Sequence, residues 1–253
     1  MIGVYFSGTG NTKHCVTRLV KGLDPAARVL SIEDKDTAAA VRGSATVIFG
    51  YPVYYSNLPK LVRDYILGNA SVFEGKKIFI VATMGLFSGD GAGCAARLLA
   101  KCGAEILGGL HIKMPDCIGD VKLLKKSEAE NRKTIADADV KIDKAVIDMR
   151  RGRFPREGLN FFYHLAGLFG QRLYFRGKTK DYFADVRVDK TKCVECGLCT
   201  RLCPTETVKL GADGITFGGK CTMCYRCFSA CPGKAITLLG KEVFVQYNFE
   251  DYE

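Results

Sequence analysis

The sequence contains no tryptophan, only three histidines, and no apolar run long enough to span a membrane. The histidines, His14, His111 and His164, form no recognisable constellation, and neither a catalytic triad nor a paired acidic motif stands out. No basic segment with an apolar stretch behind it precedes the first apolar residues, so we expect no signal peptide and a cytoplasmic location. The chemistry must therefore be sought in the residue types that are abundant.

Cysteine is abundant, with twelve residues in a chain of 253. Eight of them fall between Cys193 and Cys231, whereas the other four are scattered through the preceding part of the chain. Because reducing compartments keep thiols free, the clustered cysteines indicate metal ligation rather than disulfides. The scattered cysteines have no ligand spacing, and we interpret them as structural residues. They are Cys15, Cys94, Cys102 and Cys117.

The clustered cysteines form two copies of the pattern C-x2-C-x2-C-x3-C-P, with a period of 28 residues. In this pattern three closely spaced thiolates reach one iron-sulfur cluster, and the fourth cysteine serves the other cluster. Paired zinc sites are the alternative, but zinc gives no reason for a third cysteine at this spacing or for the proline. We therefore predict two 4Fe-4S clusters. The first is assigned to Cys193, Cys196, Cys199 and Cys231, and the second to Cys203, Cys221, Cys224 and Cys227.

In these motifs the chain resembles the bacterial-type ferredoxins with two 4Fe-4S clusters, and the resemblance covers roughly residues 184–240. It implies a small α+β ferredoxin-like domain. Thiolate-ligated clusters in a small, partly solvated shell tend toward low potentials, on the order of −400 mV. We expect this domain to carry strongly reducing electrons and to have no substrate chemistry of its own.

The first 112 residues alternate short apolar runs with segments of helical character, a pattern that predicts a parallel sheet covered by helices on both faces. Strands are expected at 2–6, 28–31, 45–50, 77–83 and 105–111. Helices are expected at 12–22, 36–42, 58–67 and 91–102, and a longer one at 127–149. We divide the chain into a first domain at 1–150, a basic, aromatic helical linker at 151–183, a second domain at 184–240 and a tail at 241–253.

A glycine-rich loop, SGTGNT, follows the first predicted strand and opens the first predicted helix. Backbone amides at a helix N-terminus, together with nearby hydroxyl groups, form a cradle for a phosphate dianion. A nucleotide P-loop would need a Gly-Lys-Ser/Thr sequence, and a dinucleotide fingerprint would need a third glycine where Lys13 stands. The candidate phosphate ligands are Ser7, Gly8, Thr9, Gly10, Asn11 and Thr12.

With this loop the first domain resembles a flavodoxin, which implies an α/β, doubly wound parallel sheet of five strands and a bound FMN. Two more segments agree, because GYPVYYSNLP follows the third strand and TMGLFSGDGAG follows the fourth. The resemblance implies that they flank the isoalloxazine ring. In the absence of tryptophan, we expect ring stacking by Tyr54 or Tyr55 together with Phe87. The alternatives are ordinary packing of both tyrosines, and a flavodoxin-like shell that has lost its flavin. The candidate ring contacts are Pro52, Tyr54, Tyr55, Ser56, Asn57, Thr83, Met84, Gly85 and Phe87.

Residues 150–180 contain eight basic side chains and a single acid, Glu157, around an aromatic stretch at 159–175. We interpret the stretch as a helix that docks one domain on the other, with a membrane-surface anchor as the alternative. The chain carries a formal charge of +10, which two oxidised clusters and an FMN would reduce to roughly +4. We therefore expect an acidic redox partner at this basic region rather than nucleic acid.

Together the two halves resemble a flavodoxin-ferredoxin fusion family that is found largely in anaerobes. A flavin accepts two electrons and releases them singly, whereas each cluster handles one, so the fusion gives a short intramolecular route. We therefore expect an electron carrier rather than a substrate-specific oxidoreductase. Two alternatives stay open: a flavin-dependent reductase that acts on a small molecule, and a redox or iron sensor.

Overall fold

The computed structural model describes residues 1–86, 89–167, 169, 173, 186–212 and 214–253. Its N-terminal part contains five strands, namely β1 (Ile2–Tyr5), β2 (Arg28–Ser31), β3 (Thr46–Pro52), β4 (Lys77–Met84) and β5 (Glu105–Lys113). They form one parallel sheet in the order β2-β1-β3-β4-β5. The predicted doubly wound sheet of five parallel strands is confirmed.

Six helices follow the strands or lie between them: α1 (Asn11–Leu23), α2 (Thr37–Arg42), α3 (Lys60–Gly68), α4 (Gly91–Lys101), α5 (Glu128–Arg150) and α6 (Phe161–Gly167). Helices α1 and α5 bury their apolar sides on one face of the sheet, and α3 and α4 on the other. Helix α1 lies so close to the sheet at Gly50 that a Cβ on this residue would overlap the side chain of Val16. Both faces of the strands are therefore buried, as their continuous apolar sequences require.

The order of the strands reverses between β1 and β3, so the loops that leave these two strands diverge to opposite faces of the sheet. Ligands of doubly wound sheets bind in the crevice that this reversal creates at the carboxyl ends of the strands. The glycine-rich loop at residues 7–10 and the loop at 53–59 lie at that edge. The fold thus brings together the segments that the sequence analysis singled out.

The C-terminal part is a smaller α+β unit, as predicted. It consists of β6 (Arg187–Val188), α7 (Leu198–Leu202), β7 (Val208–Gly211), β8 (Gly214–Phe217), α8 (Arg226–Ser229) and β9 (Ile236–Thr237). Strand β6 pairs with β9, and β7 pairs with β8, both antiparallel. Helices α7 and α8 start at equivalent places in the two cysteine runs, one 28-residue period apart. The sequence repeat is therefore also a repeat of structure.

The predicted linker helix lies only partly within the described residues, which include α6 but omit most of 168–185. In α6 the rings of Phe161 and Phe162 are exposed. Tyr163 contacts the ring of His111, and His164 binds the buried carboxylate of Asp90. Helix α6 thus packs on the first domain. Within the described parts of the chain, no helix has both the length and the apolar character needed to cross a bilayer.

Candidate functional site

A hydrogen bond closes the glycine-rich loop on itself, and another joins the helix that follows it to β4. The amide of Gly10 donates to Ser7 Oγ at 3.1 Å, and the hydroxyls of Thr12 and Thr83 lie 2.7 Å apart. Gly10 has a φ of 96°, a left-handed conformation that glycine adopts without steric cost. Because α1 begins at the next residue, Asn11, the loop places the positive end of the helix dipole at the crevice. This arrangement suits an anion such as a phosphate.

The second domain contacts the outer side of this loop. Arg226 donates through Nη2 to the carbonyl oxygen of Ser7 at 2.8 Å and pairs with Glu33 at 2.9 Å. A Cβ on Gly8 would overlap the carbonyl oxygen of Cys224. The loop residue Gly8 therefore lies in van der Waals contact with a predicted cluster ligand, and only glycine allows that contact.

The C-terminal residues also return to this loop. The amide of Phe249 donates to the carbonyl oxygen of Thr9 at 2.8 Å, and the Phe249 ring stacks on His14 at 4.2 Å. The hydroxyl of Tyr247 donates to the side-chain oxygen of Asn11 at 2.6 Å. The tail thus fixes the loop from a third side, a role that the sequence did not indicate.

A cavity of about 530 Å³ opens at the carboxyl edge of the sheet. Its size falls within the range of cofactor and ligand pockets. The predicted residues that line it are Ser7, Gly8, Thr9, Asn11, Thr12, Pro52, Tyr54, Tyr55, Ser56, Thr83, Met84 and Gly85. Gly10 and Asn57 are not part of its lining, and Phe87 lies outside the described residues.

Part of the wall of this cavity comes from residues that the sequence analysis missed. One group lies in the loop after β5 and includes Met114, Pro115, Asp116, Cys117 and Ile118. The other belongs to the second domain and comprises Met223, Tyr225 and Leu239. The cavity is therefore built by both domains. The sequence gives no signal for the second group, because the cysteine spacing is a local pattern and does not show which residues near it face the first domain.

The predicted stacking loop is a tight turn with unusual backbone angles. Tyr54 and Asn57 exchange both backbone hydrogen bonds, and the two central residues, Tyr55 and Ser56, have φ values of 50° and 57°. Positive φ at both central positions defines a type I′ turn, which side chains other than Gly, Asn and Asp rarely adopt. Such conformations cost of order 1 kcal/mol each and are found where a site requires them. Here the turn presents Tyr54 and Tyr55 to the cavity.

Ionisable groups in the wall are biased toward their neutral forms. Burial, with the neighbouring thiols of Cys117 and Cys224, holds the pKa of the Tyr54 phenol well above its usual value. Burial likewise raises the pKa of the Asp116 carboxyl and that of the Cys117 thiol. Burial therefore disfavours the charged form of each of these three groups.

The eight clustered cysteines lie around two separate small cavities. Cys193, Cys196, Cys199 and Cys231 line the first, and Cys203, Cys221, Cys224 and Cys227 line the second. These are the two sets that the spacing predicts. The first set reaches the surface, where Cys196 is exposed, whereas Cys224 and Cys227 of the second are buried. All twelve cysteines fall within the described residues, and none forms a disulfide.

The donor set at each of the two sites, four cysteine sulfurs, is the one that 4Fe-4S clusters use. Within the described residues, no three Cys, His, Asp or Glu side chains converge as one metal ion requires. Burial raises the pKa of the Cys221 thiol to about 11. The amides of Met223 and Ala235 lie 3.4 Å from the sulfurs of Cys221 and Cys231. Such N–H···S contacts are among the features that tune cluster potentials.

Asp120, in the loop after β5, joins the second domain to the first through four hydrogen bonds. It is buried, and its Oδ1 accepts a hydrogen bond from the Tyr225 phenol at 2.9 Å. Its Oδ2 accepts from the backbone amides of Leu238, Leu239 and Gly240 at 2.6, 2.8 and 3.0 Å. Hydrogen bonds to an ionised acceptor are stronger than neutral ones. Removal of this carboxylate would take the acceptor away from four donors, of which the Tyr225 phenol and the Leu238 amide are buried.

Asp120→Ala is therefore expected to lower the free energy of unfolding by about 3 kcal/mol, because each orphaned donor keeps its desolvation cost. Chemical denaturation of the iron-loaded protein, followed by circular dichroism, measures this change. The control is Asp137→Ala, which removes a surface pair with Lys133 and should cost less than about 0.5 kcal/mol. Equal free energies of unfolding for the two variants would show that Asp120 does not stabilise the contact between the domains.

Two family models match the chain. Residues 2–101 match the model described as a flavodoxin domain, and residues 185–232 match the model of a 4Fe-4S dicluster domain. A curated relative is a component of the Na(+)-translocating ferredoxin:NAD(+) oxidoreductase complex of Acetobacterium woodii. It is 36% identical over 63 residues, which are 23% of this chain and 19% of the relative. The chain therefore matches about a fifth of that relative's length.

Solved structures of flavodoxins are similar to the N-terminal part. The two-electron reduced flavodoxin of Megasphaera elsdenii is 22% identical, covers 56% of this chain and 99% of its own, and has a TM-score of 0.41. The Fusobacterium nucleatum flavodoxin bound to flavin mononucleotide is 16% identical, covers 60% and 98%, and has a TM-score of 0.40.

Proposed function

We propose that this protein is an intramolecular electron carrier with one FMN and two 4Fe-4S clusters. The proposal rests on the match of its two parts to a flavodoxin domain and to a 4Fe-4S dicluster domain, which are both electron-transfer modules. The FMN would occupy the cavity between the domains, and the clusters would be held by the two cysteine sets. FMN supplies an acceptor that takes two electrons and releases them singly to one-electron carriers. The residues around it bind, orient and shield it.

One observation carries this proposal: the second domain forms part of the wall of the FMN cavity and touches the phosphate loop through Cys224. Cys224 belongs to the buried cysteine set, so the second cluster would be the one beside the flavin. The first cluster would lie nearer the surface, at the exposed Cys196. Electrons would then pass between solvent-facing and buried carriers in the order first cluster, second cluster, FMN, in either direction.

Within the cavity each group of residues has a separate task. The glycine-rich loop and the N-terminus of α1 would bind the phosphate through backbone amides and hydroxyls. The turn at 54–57 and the segment after β4 would flank the ring, and Tyr54 and Tyr55 would stack on it. The second domain would exclude water from the side that faces the cluster. A site closed by a carrier domain suits electron transfer better than substrate turnover.

The surface around the first cluster favours an acidic redox partner. Lys190, Lys192 and Lys234 are exposed near this cysteine set, and the main chain of Lys192 packs against Gly233. Arg201 donates to the carbonyl oxygen of Cys196 at 3.3 Å. Four of the eight basic residues of the region at 150–180, which the sequence predicts as the docking site, lie outside the described residues, so we place the docking site at the rim of the first cluster. Complementary charge accelerates encounter between redox proteins.

Reversal of three charges, in the triple variant Lys190→Glu, Lys192→Glu and Lys234→Glu, is expected to slow reduction by an acidic ferredoxin roughly 10-fold at low salt. Stopped-flow absorbance over a series of ionic strengths measures the rate. The matched control reverses Lys60, Lys101 and Lys133, which lie on the first domain, and should keep most of the rate. A rate that is equally slow in both triples would reflect net charge alone and would argue against this docking surface.

The proposed function is tested by anaerobic reconstitution, cofactor analysis and kinetics on the same sample. We expect about eight irons, about eight acid-labile sulfides and about one FMN per chain. After mixing with a reduced acidic ferredoxin, the cluster absorbance should bleach before the flavin absorbance. A protein that binds clusters without FMN, or whose flavin is reduced at the same rate when the clusters are absent, would rule out the proposed carrier.

A further inference from the structure

The wall of the cavity between the domains contains one carboxyl group, that of Asp116, within the part of the chain that the structure describes. No Lys, Arg or His side chain lines the cavity in that part of the chain. The other ionisable groups of the wall are the thiol of Cys117 and the phenols of Tyr54, Tyr55 and Tyr225. Thiols and phenols have ordinary pKa values well above neutrality. Asp116 is therefore the only one of these groups with an ordinary pKa below 7.

The carboxyl of Asp116 is held against the segment that follows β4. Its Oδ1 accepts a hydrogen bond from the backbone amide of Ile118 at 2.9 Å. A Cβ on Gly85 would overlap its Oδ2, so the carboxyl fits here because residue 85 has no side chain. The segment after β4 would flank the flavin ring under the proposed function. The carboxyl would then lie on the side of the cavity that the ring occupies.

The local structure does not require a charge at this position. Within the described residues, neither carboxylate oxygen of Asp116 pairs with a basic side chain. An asparagine would accept the hydrogen bond from Ile118 equally well, because its side-chain oxygen caps turns in the same way. Asp120 differs, since its two oxygens accept four hydrogen bonds. A half-buried carboxyl without a cation costs free energy that the loop does not need, which indicates a task for its proton.

The surroundings of Asp116 favour the protonated carboxyl. Burial raises its pKa, and the hydrogen bonds from the amides of Ile118 and Cys117 oppose this shift only in part. Among the described residues, no charged side chain acts on the carboxyl from β4, from the turn at 54–57 or from the second domain. The thiol beside it, that of Cys117, is kept neutral because burial raises its pKa as well. A negative charge added to the cavity would raise the pKa of Asp116 further.

We propose that Asp116 exchanges the proton that accompanies reduction of the flavin. This inference rests on the proposed function, because it needs an FMN in the cavity between the domains. Two-electron reduction adds two electrons and at least one proton to a flavin. The two electrons would come one at a time from the clusters, each of which is oxidised by one electron. The carboxyl of Asp116 would release the proton as a general acid and regain one from solvent through its exposed part.

The test compares the flavin midpoint potential of the wild-type protein with that of Asp116→Asn, in the full-length, iron-loaded form, from acid to alkaline pH. Asparagine keeps the size of the side chain and the hydrogen bond from Ile118, and it removes the charge. At alkaline pH the wild-type carboxylate repels the negative charge that reduction adds to the ring, so the variant should have the higher potential. At acid pH the wild-type carboxyl is neutral, so the two potentials should converge.

A kinetic measurement on the same two proteins tests the exchange itself. Stopped-flow reduction of the flavin near neutral pH should be about 10-fold slower or more in Asp116→Asn, because the variant has no proton to give. The control is Asp36→Asn, since Asp36 is exposed and does not line the cavity. It should keep the wild-type rate and the wild-type potential at every pH.

A potential difference between the wild-type protein and Asp116→Asn that stays the same at every pH, zero included, would overturn the inference. An unchanged rate would do so too, and loss of FMN from the variant would assign Asp116 to flavin binding instead. If the wild-type protein itself bound no FMN, the proposed function would fail, so the two failures are distinguishable.

Discussion

Replacement of Gly8 with alanine should weaken FMN binding by about 10- to 100-fold. The added methyl group would overlap the carbonyl oxygen of Cys224, which is backbone and cannot rotate away. Overpacking of this kind costs about 1–3 kcal/mol, and the loop or the second domain must shift to relieve it. Either movement displaces amides that would bind the phosphate. Flavin fluorescence titration of the anaerobic protein measures the affinity.

The matched control is Gly219→Ala, since a Cβ on Gly219 meets no atom within 4 Å. It should leave FMN affinity unchanged and thereby account for any general effect of a glycine replacement. Should Gly8→Ala bind FMN as tightly as Gly219→Ala, the contact between the phosphate loop and the dicluster domain would have no bearing on the flavin site.

Removal of one ligand from each cysteine set is expected to interrupt electron flow at two different points. In Cys227→Ala the buried cluster would be disturbed, so a protein donor would still reduce the exposed cluster while the flavin stayed oxidised. In Cys196→Ala the exposed cluster would be disturbed, and reduction of both remaining carriers would slow by about 10-fold or more. The reason is that Cys196 is exposed, whereas Cys227 lies beside Cys224 in the buried set.

Stopped-flow absorbance at cluster and flavin wavelengths resolves these outcomes, with iron analysis to verify that each variant has lost one site. Cys102→Ala serves as a control, because Cys102 lies near the end of α4 and lines neither cluster cavity. It should behave like the wild-type protein. Normal flavin reduction in Cys227→Ala would contradict the proposed sequence of carriers, in which the second cluster stands between the first cluster and the FMN.

The sheet could be predicted from the sequence because strands buried on both faces are nearly continuous apolar runs. Each predicted strand lies within two residues of the observed one at both ends. Helix α3 begins at Lys60 rather than Leu58, because Pro59 takes the N-cap position and its ring fixes the chain ahead of the helix. Helix α5 begins at Glu128 because Ser127 and Glu130 form a capping box. Local signals of this kind are readable from sequence.

The contacts between the domains could not be predicted, because they join residues that are more than one hundred positions apart. Nothing near Asp120 in sequence indicates that it will bind Tyr225, and the tail gives no sign that Phe249 will meet Thr9. The cysteine spacing predicts which thiols share a cavity, since it is a local pattern, but it does not predict which of the two sets lies beside the glycine-rich loop. The position of the second set beside this loop is seen only in the structure, where Cys224 packs on Gly8.

The claim that the flavin site is built jointly by both domains is tested most directly by the dependence of FMN affinity on iron. Fluorescence titration of FMN is performed on the iron-loaded protein and again after anaerobic chelation. Because the second cluster would organise the segment in which Cys224 and Arg226 contact the glycine-rich loop, we expect affinity to fall about 10-fold or more without iron. The same affinity in both states would contradict the account.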